Sequence, residues 1–348
     1  MNEIVVNSSL IGRQFDTRYV NIGAAGKIED IGKFTPSKLL GVFRTLIRIV
    51  RTLSSFRPDI VYLSLSPAGF AFYRDVIYVY TIRLFRPKLV FHLHGKGLRR
   101  GAAKSRVFRR LSRSIFRNSN VIFLSERLRP DADGLGYKSA FVINNGFPDG
   151  PVAPRTFGGK SEVEILYLSN YVRSKGIIDL VDALELVFRT HRGFRASLVG
   201  KPNDISMEYL ENYVREKGLA GKVTVCGPRY GDDKIGLLER ADIFVLPTYY
   251  DNEAFPLSIL EAMKFSLPVI STDEGGIPDL LEDGVDGLIF PKRDVPALAQ
   301  KICYLMDHPE ERRSLGETAR KKFLERFTFS TFERNMLQAL RRICEQDS

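Results

Sequence analysis

Two glutamates, Glu253 and Glu261, flank the start of a predicted helix in the segment NEAFPLSILE. Pro256 suits the first turn of a helix, where its missing N–H group costs nothing, and Leu257 and Leu260 recur at helical spacing. Glu253 is therefore expected just before the helix, near its exposed N–H groups, and Glu261 about a turn further along. A helix start binds anions, and carboxylates accept hydrogen bonds from hydroxyls. The pattern therefore favours a ligand that carries both phosphates and hydroxyls, such as a sugar joined to a nucleoside diphosphate.

Taken alone, such a pair is more simply interpreted as a helix cap and a solvated surface charge, because most acidic side chains lie on the surface. The surrounding residues favour a ligand site. They form the segment PTYYDNEAFPLSILEAMKFSLPVISTDEGGIPDLLEDGVDGLIFP, which resembles the donor-binding signature of retaining glycosyltransferases of family four. The resemblance continues more weakly from about Phe15 to the C-terminus. It implies the GT-B fold, a UDP- or GDP-sugar as donor, and no metal or other cofactor.

The resemblance also assigns roles to individual residues. Glu261 is expected to bind the ribose hydroxyls, and Glu253 the hydroxyls of the donor sugar near the reaction centre. Main-chain groups at the helix start and in a glycine loop are expected to contact the sugar and the phosphates. They belong to Ala254, Phe255, Pro256, Leu257, Gly275 and Gly276. The loop after KVTVC, with Gly227 and Arg229, is expected to border the base.

A lysine is expected to stabilise the departing diphosphate, which gains negative charge as the glycosidic bond breaks. Lys175 follows a predicted strand and precedes the helical segment IIDLVDALELVF. It matches the family's Lys-Gly pair that contacts the phosphates, although a lone lysine after a strand is usually exposed. Many family members have Gly-Arg where this chain has Ser169-Asn170. Asn170 donates hydrogen bonds but carries no charge, so Arg173 is expected to compensate.

The strand segment VFHLHG contains two histidines, His92 and His94, which alternation places on the same face. Their spacing could suggest a metal site, but no third ligand of matching type is near in the sequence. The resemblance implies that His94 contacts the donor sugar or assists charge development, whereas His92 is expected to be structural. Asp131 and Asp133 resemble the acidic metal motif of a different glycosyltransferase fold, and we expect both to face solvent.

Length and composition are typical of a soluble globular protein with two domains. The chain has 348 residues, 44% hydrophobic and 27% charged, and its three cysteines show no metal-ligand spacing. They indicate a reducing compartment without disulfides. The start of the chain has no signal-peptide pattern, and no apolar stretch is long enough to span a bilayer. We therefore expect a cytoplasmic protein, either free or peripheral on the cytoplasmic face of the inner membrane.

Positive charge is concentrated in the first half of the chain. Residues 1–148 contain 25 Lys and Arg against 9 Asp and Glu, whereas the remainder contains 27 against 32. The imbalance indicates an anionic partner for the first half. An anionic membrane surface is favoured over nucleic acid, because no nucleic-acid-binding motif or stacking platform is present. The segment KGLRRGAAKSRVFRRLSRSIFRNS is consistent with a helix that covers the sheet, with membrane contact, or with both.

Strand-like and helix-like segments alternate along the chain, which predicts an α/β fold. DIVYLSL, KLVFHLHG, NVIFLS and AFVINNG form one strand series, and VEILYLS, FRASLVG, KVTVCG, DIFVLP and PVIST form a second. A Gly- and Pro-rich stretch at about 147–161 separates them. The expected architecture is two doubly wound Rossmann-like domains that face a central cleft. They comprise residues 1–150 on the acceptor side and 151–325 on the donor side, and a final helix over 326–348 returns toward the first domain.

The beginning of the first series departs from this pattern. A doubly wound domain opens with a strand, a glycine-rich turn and a full helix, but only Asn7 to Thr17 separate IVV from RYVNI. The segment IVVNSSLIGRQF instead resembles the tail of the first helix, and the first strand unit is interpreted as missing.

The predicted function is that of a retaining glycosyltransferase with a polysaccharide or lipid-linked acceptor. Two alternatives stay open. One is a GT-B sugar-nucleotide epimerase, which would need no acceptor. The other is a non-catalytic partner subunit, which the short N-terminus and Asn170 would favour.

Overall fold

Two units make up the chain in the computed structural model, which describes residues 2–22, 36–152 and 161–345. Unit 1 consists of Met1–Asn145 and Ser330–Ser348, and unit 2 of Gly146–Phe329. Within the described residues, no helix is both long and apolar enough to cross a lipid bilayer. The middle of the predicted linker, residues 153–160, lies outside the described residues.

Helices and strands alternate in both units. The helices in the described residues are α1 (Asn2–Asn7), α2 (Ser9–Gly12), α3 (Pro36–Phe56), α4 (Gly69–Arg83), α5 (Leu98–Lys104), α6 (Arg106–Phe116), α7 (Ile177–Thr190), α8 (Met207–Glu216), α9 (Gly231–Arg240), α10 (Leu257–Lys264), α11 (Ile277–Leu280), α12 (Val295–Asp307), α13 (Pro309–Arg326) and α14 (Phe329–Glu345). The strands are β1 (Ile60–Leu65), β2 (Lys88–Leu93), β3 (Asn120–Phe123), β4 (Ser139–Val142), β5 (Val163–Leu168), β6 (Phe194–Val199), β7 (Val223–Gly227), β8 (Ile243–Leu246), β9 (Val269–Thr272) and β10 (Leu288–Phe290).

Four parallel strands form the sheet of unit 1, in the order β1-β2-β3-β4. They coincide with the four strand segments predicted for the first half of the chain. Val90 of β2 lies opposite Asn120 of β3, and Val90, Phe91 and Val121 are fully buried. Such apolar runs are typical of parallel strands that are covered on both faces.

The last helix, α14, packs against the sheet of unit 1. Met336 of α14 lies in one buried cluster with Val90 of β2. The Lys88 ammonium donates hydrogen bonds to the carbonyls of Ile343 and Cys344, at 3.1 and 2.8 Å. A lysine at this position satisfies carbonyls that a helix end leaves without intrahelical partners.

The start of unit 1 is helical, as the segment IVVNSSLIGRQF predicts. Helices α1 and α2 occupy most of it, and Ile11 is buried in the same cluster as α14. The next segment, RYVNI, is strand-like in sequence but belongs to no helix or strand. Among the described residues, no strand precedes β1.

One apolar residue of the basic helix α6 differs from its predicted environment. The sequence places Val107, Phe108, Leu111 and Ile115 on one apolar face. Phe108 and Ile115 are buried, but the Val107 side chain is 60% exposed. The packed stripe is therefore narrower than the pattern suggests.

Six parallel strands form the sheet of unit 2, in the order β10-β9-β8-β5-β6-β7. Numbered within the unit, this is the doubly wound order 3-2-1-4-5-6, and the direction of winding reverses between β5 and β8. In open α/β sheets, ligands bind beyond the carboxyl ends of the strands at this topological switch point. Residues that follow β5 and β8 are therefore the first candidates for a site.

Candidate functional site

Lys175 and Glu253 meet at the topological switch point of unit 2. The Lys175 Nζ lies 2.5 Å from Glu253 Oε2, and the two side chains are 17% and 7% exposed. The Thr248 hydroxyl also donates to Glu253 Oε2, at 3.2 Å. The Lys175 ammonium lies 4.9 Å from the centre of the Tyr250 ring, within cation–π distance. The site therefore contains a preorganised cation and a mostly buried carboxylate.

Local main-chain contacts hold this pair in place. Lys175 ends the short 3-10 helix Arg173–Lys175 after β5, and the Tyr249 N–H donates to the Ser174 carbonyl at 2.8 Å. Gly176 follows, and a side chain there would lie 2.1 Å from the Pro247 carbonyl oxygen. Glycine at this position thus allows the loop after β5 to approach the end of β8.

The glycine loop fixes the main chain beside Glu253. Gly275 has a φ of +58°, and a Cβ there would lie 2.2 Å from the Glu253 carbonyl oxygen. The Gly276 N–H donates to the Ala254 carbonyl at 2.8 Å. The close approach expected of these two glycines is therefore made to the protein's own backbone at Glu253 and Ala254.

Helix α10 begins one residue later than the sequence predicts. Pro256 is the residue before the first turn, with an extended ψ of 117°, and its side chain does not cap the helix. The first helical residue is Leu257, whose side chain is 42% exposed, whereas Ala254 and Phe255 are buried. Pro256 therefore occupies the N-cap position, where the backbone is not helical, and residues 253–256 belong to no helix or strand.

Glu261, in α10, has a lysine partner of its own. Its Oε1 forms an ion pair with the Lys234 ammonium from α9, and the two side chains are 10% and 28% exposed. The sequence analysis did not predict a role for Lys234. It lies 27 residues before Glu261 on a different helix, so no local spacing indicates the contact.

The remaining candidates of unit 2 lie in loops around these pairs. Arg173 is exposed, and its backbone N–H donates to Asp204 Oδ1 at 2.9 Å. The neighbouring Tyr209 hydroxyl raises the pKa of the Arg173 guanidinium. Asn170 is also exposed, and its carbonyl accepts a hydrogen bond from the Val172 N–H at 2.8 Å. Arg173, which was expected to compensate for a missing arginine, is thus solvent-exposed.

The loop after β7 is anchored at its first residue. The Gly227 N–H donates to the Tyr171 hydroxyl at 2.9 Å, and that hydroxyl donates to the Leu198 carbonyl at 2.7 Å. Arg229 is exposed and donates to the Pro228 carbonyl at 3.4 Å. The loop is therefore fixed at its base, with its arginine in solvent.

In unit 1, the two histidines of β2 and its end are close neighbours. Their ring centres are 4.0 Å apart, and His92 Nδ1 lies 2.6 Å from the Tyr62 hydroxyl. Burial lowers the pKa of His94 to about 4, and burial followed by the nearby His94 lowers the pKa of His92 well below its usual range. His94 is consequently a neutral imidazole near pH 7.

Asp131 is not a solvated charge, so that expectation was wrong. Its Oδ2 accepts hydrogen bonds from the N–H groups of Gly97 and Leu98, at 2.8 and 3.0 Å, and its Oδ1 accepts one from Arg99 at 3.1 Å. The carboxylate caps α5, since the first N–H groups of a helix have no intrahelical acceptor. Asp133 is exposed, as expected.

A family model matches most of unit 2, and curated relatives match part of the chain. The family model described as Glycosyl transferases group 1 matches residues 156–322. The glycogen synthase of Mycobacterium tuberculosis is 28% identical over 203 residues, which are 57% of this chain and 47% of that protein. The putative colanic acid biosynthesis glycosyltransferase WcaL of Salmonella typhimurium is 34% identical over 113 residues, which are 31% of this chain and 28% of that protein. The chain thus spans less than half the length of these two relatives.

Solved structures resemble most of the chain. Sucrose-phosphate synthase from Thermosynechococcus elongatus has a TM-score of 0.72 at 22% identity, over 89% of this chain and 80% of that one. Anabaena HepE in complex with UDP has a TM-score of 0.72 at 22% identity, over 87% of this chain and 84% of that one. These likenesses confirm the predicted GT-B fold.

Proposed function

Because the model of the glycosyl transferases group 1 family matches residues 156–322, we propose that this chain is a retaining glycosyltransferase of that family. It moves a sugar from a nucleoside diphosphate sugar to a polysaccharide or lipid-linked acceptor. The observation that carries the proposal is the Lys175–Glu253 ion pair at the switch point of unit 2, where an α/β sheet binds its ligand.

Lys175 stabilises the diphosphate. An ammonium group has three N–H donors. One N–H of Lys175 donates to Glu253, and the other two can donate to phosphate oxygens. Its position is fixed before the donor binds, by the carboxylate and by the Tyr250 ring. A preorganised cation needs no reorganisation as negative charge develops on the leaving group, which is why it lowers the barrier.

Glu253 and Glu261 bind the two hydroxyl-bearing parts of the donor. Glu253 accepts hydrogen bonds from the sugar, and Ala254 to Leu257 supply main-chain groups beside it. Glu261 has one oxygen paired with Lys234, which leaves the other oxygen for a ribose hydroxyl. Both carboxylates are mostly buried, so their hydrogen bonds are weakly screened by water.

The chemical step exchanges one C–O bond for another on the same face of the sugar. The bond from the anomeric carbon to the diphosphate breaks, and the acceptor oxygen forms the new bond from the side that the diphosphate leaves. The acceptor proton passes to the departing diphosphate oxygen. The family resemblance assigns His94 to the donor sugar, where a neutral imidazole both donates and accepts hydrogen bonds.

Similar proteins indicate which substrates of this chain to test first. HepE was crystallised with UDP, with UDP and glucose, and with UDP-glucose, so UDP-sugars are the first donors to test. WcaL and the amylovoran biosynthesis glycosyltransferase AmsK of Erwinia amylovora favour a saccharide acceptor. A lipid-linked acceptor would place the protein at the cytoplasmic face of a membrane, which the positive charge of residues 1–148 supports.

A donor screen with a charge-removing variant tests the proposal. We expect UDP or GDP to bind wild-type protein in calorimetry, and the matching sugar nucleotide to release its nucleotide. Lys175→Gln keeps a hydrogen-bond donor for Glu253 but loses the charge, so turnover should fall about a hundredfold or more.

Lys301→Gln is the matched control, because Lys301 pairs with Asp283 elsewhere in unit 2 and should leave turnover unchanged. Absence of binding for both nucleotides would contradict the proposal. A changed donor in the absence of acceptor would instead indicate an epimerase, and the anomeric configuration of the product, read by NMR, tests retention.

A further inference from the structure

Two helices of unit 1 carry exposed apolar side chains along one stripe each. Their spacing alternates between three and four residues, so each set lies on one side of its helix. On α3 they are Leu40, Phe43, Ile47 and Val50, and on α4 they are Phe70, Tyr73, Ile77 and Tyr80, followed by Leu84 directly after the helix. Their exposed fractions run from 37% at Ile47 to 80% at Leu84. Single exposed apolar residues are ordinary, but a contiguous set of this size marks an interaction surface.

Each stripe lies on a different side of its helix from the residues that face the core. On α3, Ile49 and Leu53 are buried, and on α4, Phe72, Val76 and Val79 are buried. At 3.6 residues per turn, the centre of this buried set lies roughly a third of a turn from the centre of the stripe on each helix. Both helices are therefore apolar on two sides, and the core accounts for only one of them.

The two stripes and the basic helix α6 belong to one layer of helices. α3 packs along α4, and α4 packs along α6. The Phe72 ring centre lies 4.0 Å from that of Phe108, and the Tyr80 hydroxyl donates to Ser114 Oγ at 2.7 Å. On α6, Val107 is also exposed, at 60%.

The same layer is strongly cationic. Residues 40–117 contain 17 Lys and Arg but only two acidic residues, Asp59 and Asp75, and Asp75 is fully buried. Exposed arginines lie on α3 and α6, at Arg44, Arg48, Arg51, Arg106, Arg109, Arg110 and Arg113. None of these seven forms an ion pair with a carboxylate in the part of the chain that the structure describes.

We propose that the outward surface of α3, α4 and α6, called here the docking face, binds a lipid bilayer that contains anionic lipid. Phenylalanine, tyrosine and leucine side chains enter the boundary between headgroups and acyl chains, while arginines contact lipid phosphates. The proposal deepens the membrane location proposed above, and it depends on unit 1 alone, not on the donor chemistry.

Other occupants fit the docking face less well. A second copy of the chain would bring arginines of one copy against those of the other, because a twofold interface pairs a surface with itself. Nucleic acid would neutralise the arginines but would leave nine apolar side chains facing water or phosphate. A bilayer surface offers both an anion and an apolar phase.

Flotation with vesicles tests the proposal. Wild-type protein should float with vesicles of phosphatidylcholine and phosphatidylglycerol, and roughly tenfold less with phosphatidylcholine alone. High salt should weaken this binding, because charge attraction is screened. Arg109→Gln with Arg113→Gln, and separately Phe43→Ser with Leu84→Ser, should each reduce binding about tenfold or more.

A matched control removes equally exposed apolar residues from unit 2, with Tyr230→Ser and Leu324→Ser, which are 73% and 45% exposed in wild type. This control should float like wild type. Equal binding of all variants, or equal binding to neutral and anionic vesicles, would overturn the proposal. Absence of any flotation would also overturn it and would favour an acidic protein partner.

The chain contains no tryptophan, so a single introduced indole reports on its own surroundings. Phe43→Trp and Phe70→Trp should show a blue-shifted emission with anionic vesicles and quenching by brominated lipid. Tyr230→Trp should show neither, and equal quenching at all three positions would overturn the docking face. UDP binding by the same variants is measured separately, without vesicles. A failure to bind UDP would contradict the donor proposal but would leave the vesicle result, and so the docking face, unchanged.

Discussion

Each of the two glutamates of the candidate site is paired with a lysine. The Lys175–Glu253 and Lys234–Glu261 pairs are partly or mostly buried, so neither carboxylate is left as an unpaired buried charge. A donor that binds here adds negative charge beside two ammonium groups rather than beside two free carboxylates. Affinity for a diphosphate therefore depends on the lysines as well as on the glutamates.

Replacement of Glu261 should weaken nucleotide binding without unfolding the protein. Glu261→Ala removes a charge-assisted hydrogen bond to ribose, and bonds of this kind are worth roughly 1.5–3 kcal/mol, or about ten- to a hundredfold in affinity. The Lys234 side chain is 28% exposed, so loss of its partner leaves an ammonium that water can reach. Calorimetry with UDP or GDP measures the affinity, and a thermal melt measures the stability.

Glu239→Gln is the control for this experiment, because Glu239 is an exposed acid on α9, the helix that carries Lys234. It should leave both affinity and melting temperature near wild-type values. An unchanged affinity in Glu261→Ala would remove Glu261 from the donor site.

The loops after β5 and β8 and the glycine loop after β9 build the site together. Gly275 is central because its φ is positive and because the Glu253 carbonyl occupies the space of a side chain. Gly284 provides a contrast in the same unit. Its φ is also positive, at +75°, but no atom lies within 4 Å of the position of a Cβ.

Gly275→Ala should therefore cost more stability than Gly284→Ala. A left-handed φ destabilises a non-glycine residue by roughly 1–2 kcal/mol, and this penalty lowers the free energy of unfolding of both variants. Only Gly275→Ala adds a clash with main chain and displaces Glu253, so it should also lower turnover of the sugar nucleotide. Melting temperatures and initial rates of both variants test this, and equal effects of the two substitutions would show that the contact with Glu253 does not matter.

Nine of the ten strands in the described residues were predicted from the sequence, whereas β10 and several contacts between elements were not. Apolar runs bounded by Gly or Pro identified the strands, because parallel strands are buried on both faces. The pairing of Glu261 with Lys234 depends on how α9 and α10 pack, which no local pattern records. Asp131 was misjudged for the same reason, since the helix that it caps begins 33 residues earlier in the chain.

Unit 1 combines an excess of positive charge with two neutral histidines, of which His92 is fully buried and His94 is partly buried. Burial lowers the pKa of both His92 and His94, and that of His94 lies at about 4. In the unfolded chain both would titrate near 6.5. Between these values the unfolded state binds more protons than the folded state, so the free energy of unfolding rises with pH in this range.

Acidification from pH 7 to pH 4 should therefore destabilise unit 1, with each histidine contributing a slope of at most about 1.4 kcal/mol per pH unit. The contribution is fully present above pH 6.5 and is lost as the pH falls toward the folded pKa. His94→Gln cannot take up a proton, so its melting temperature should depend less steeply on pH than that of wild type. His308→Gln, at an exposed position in unit 2, should keep the wild-type slope. Parallel curves for His94→Gln and wild type, measured by calorimetry across this range, would show that His94 is not held neutral by burial.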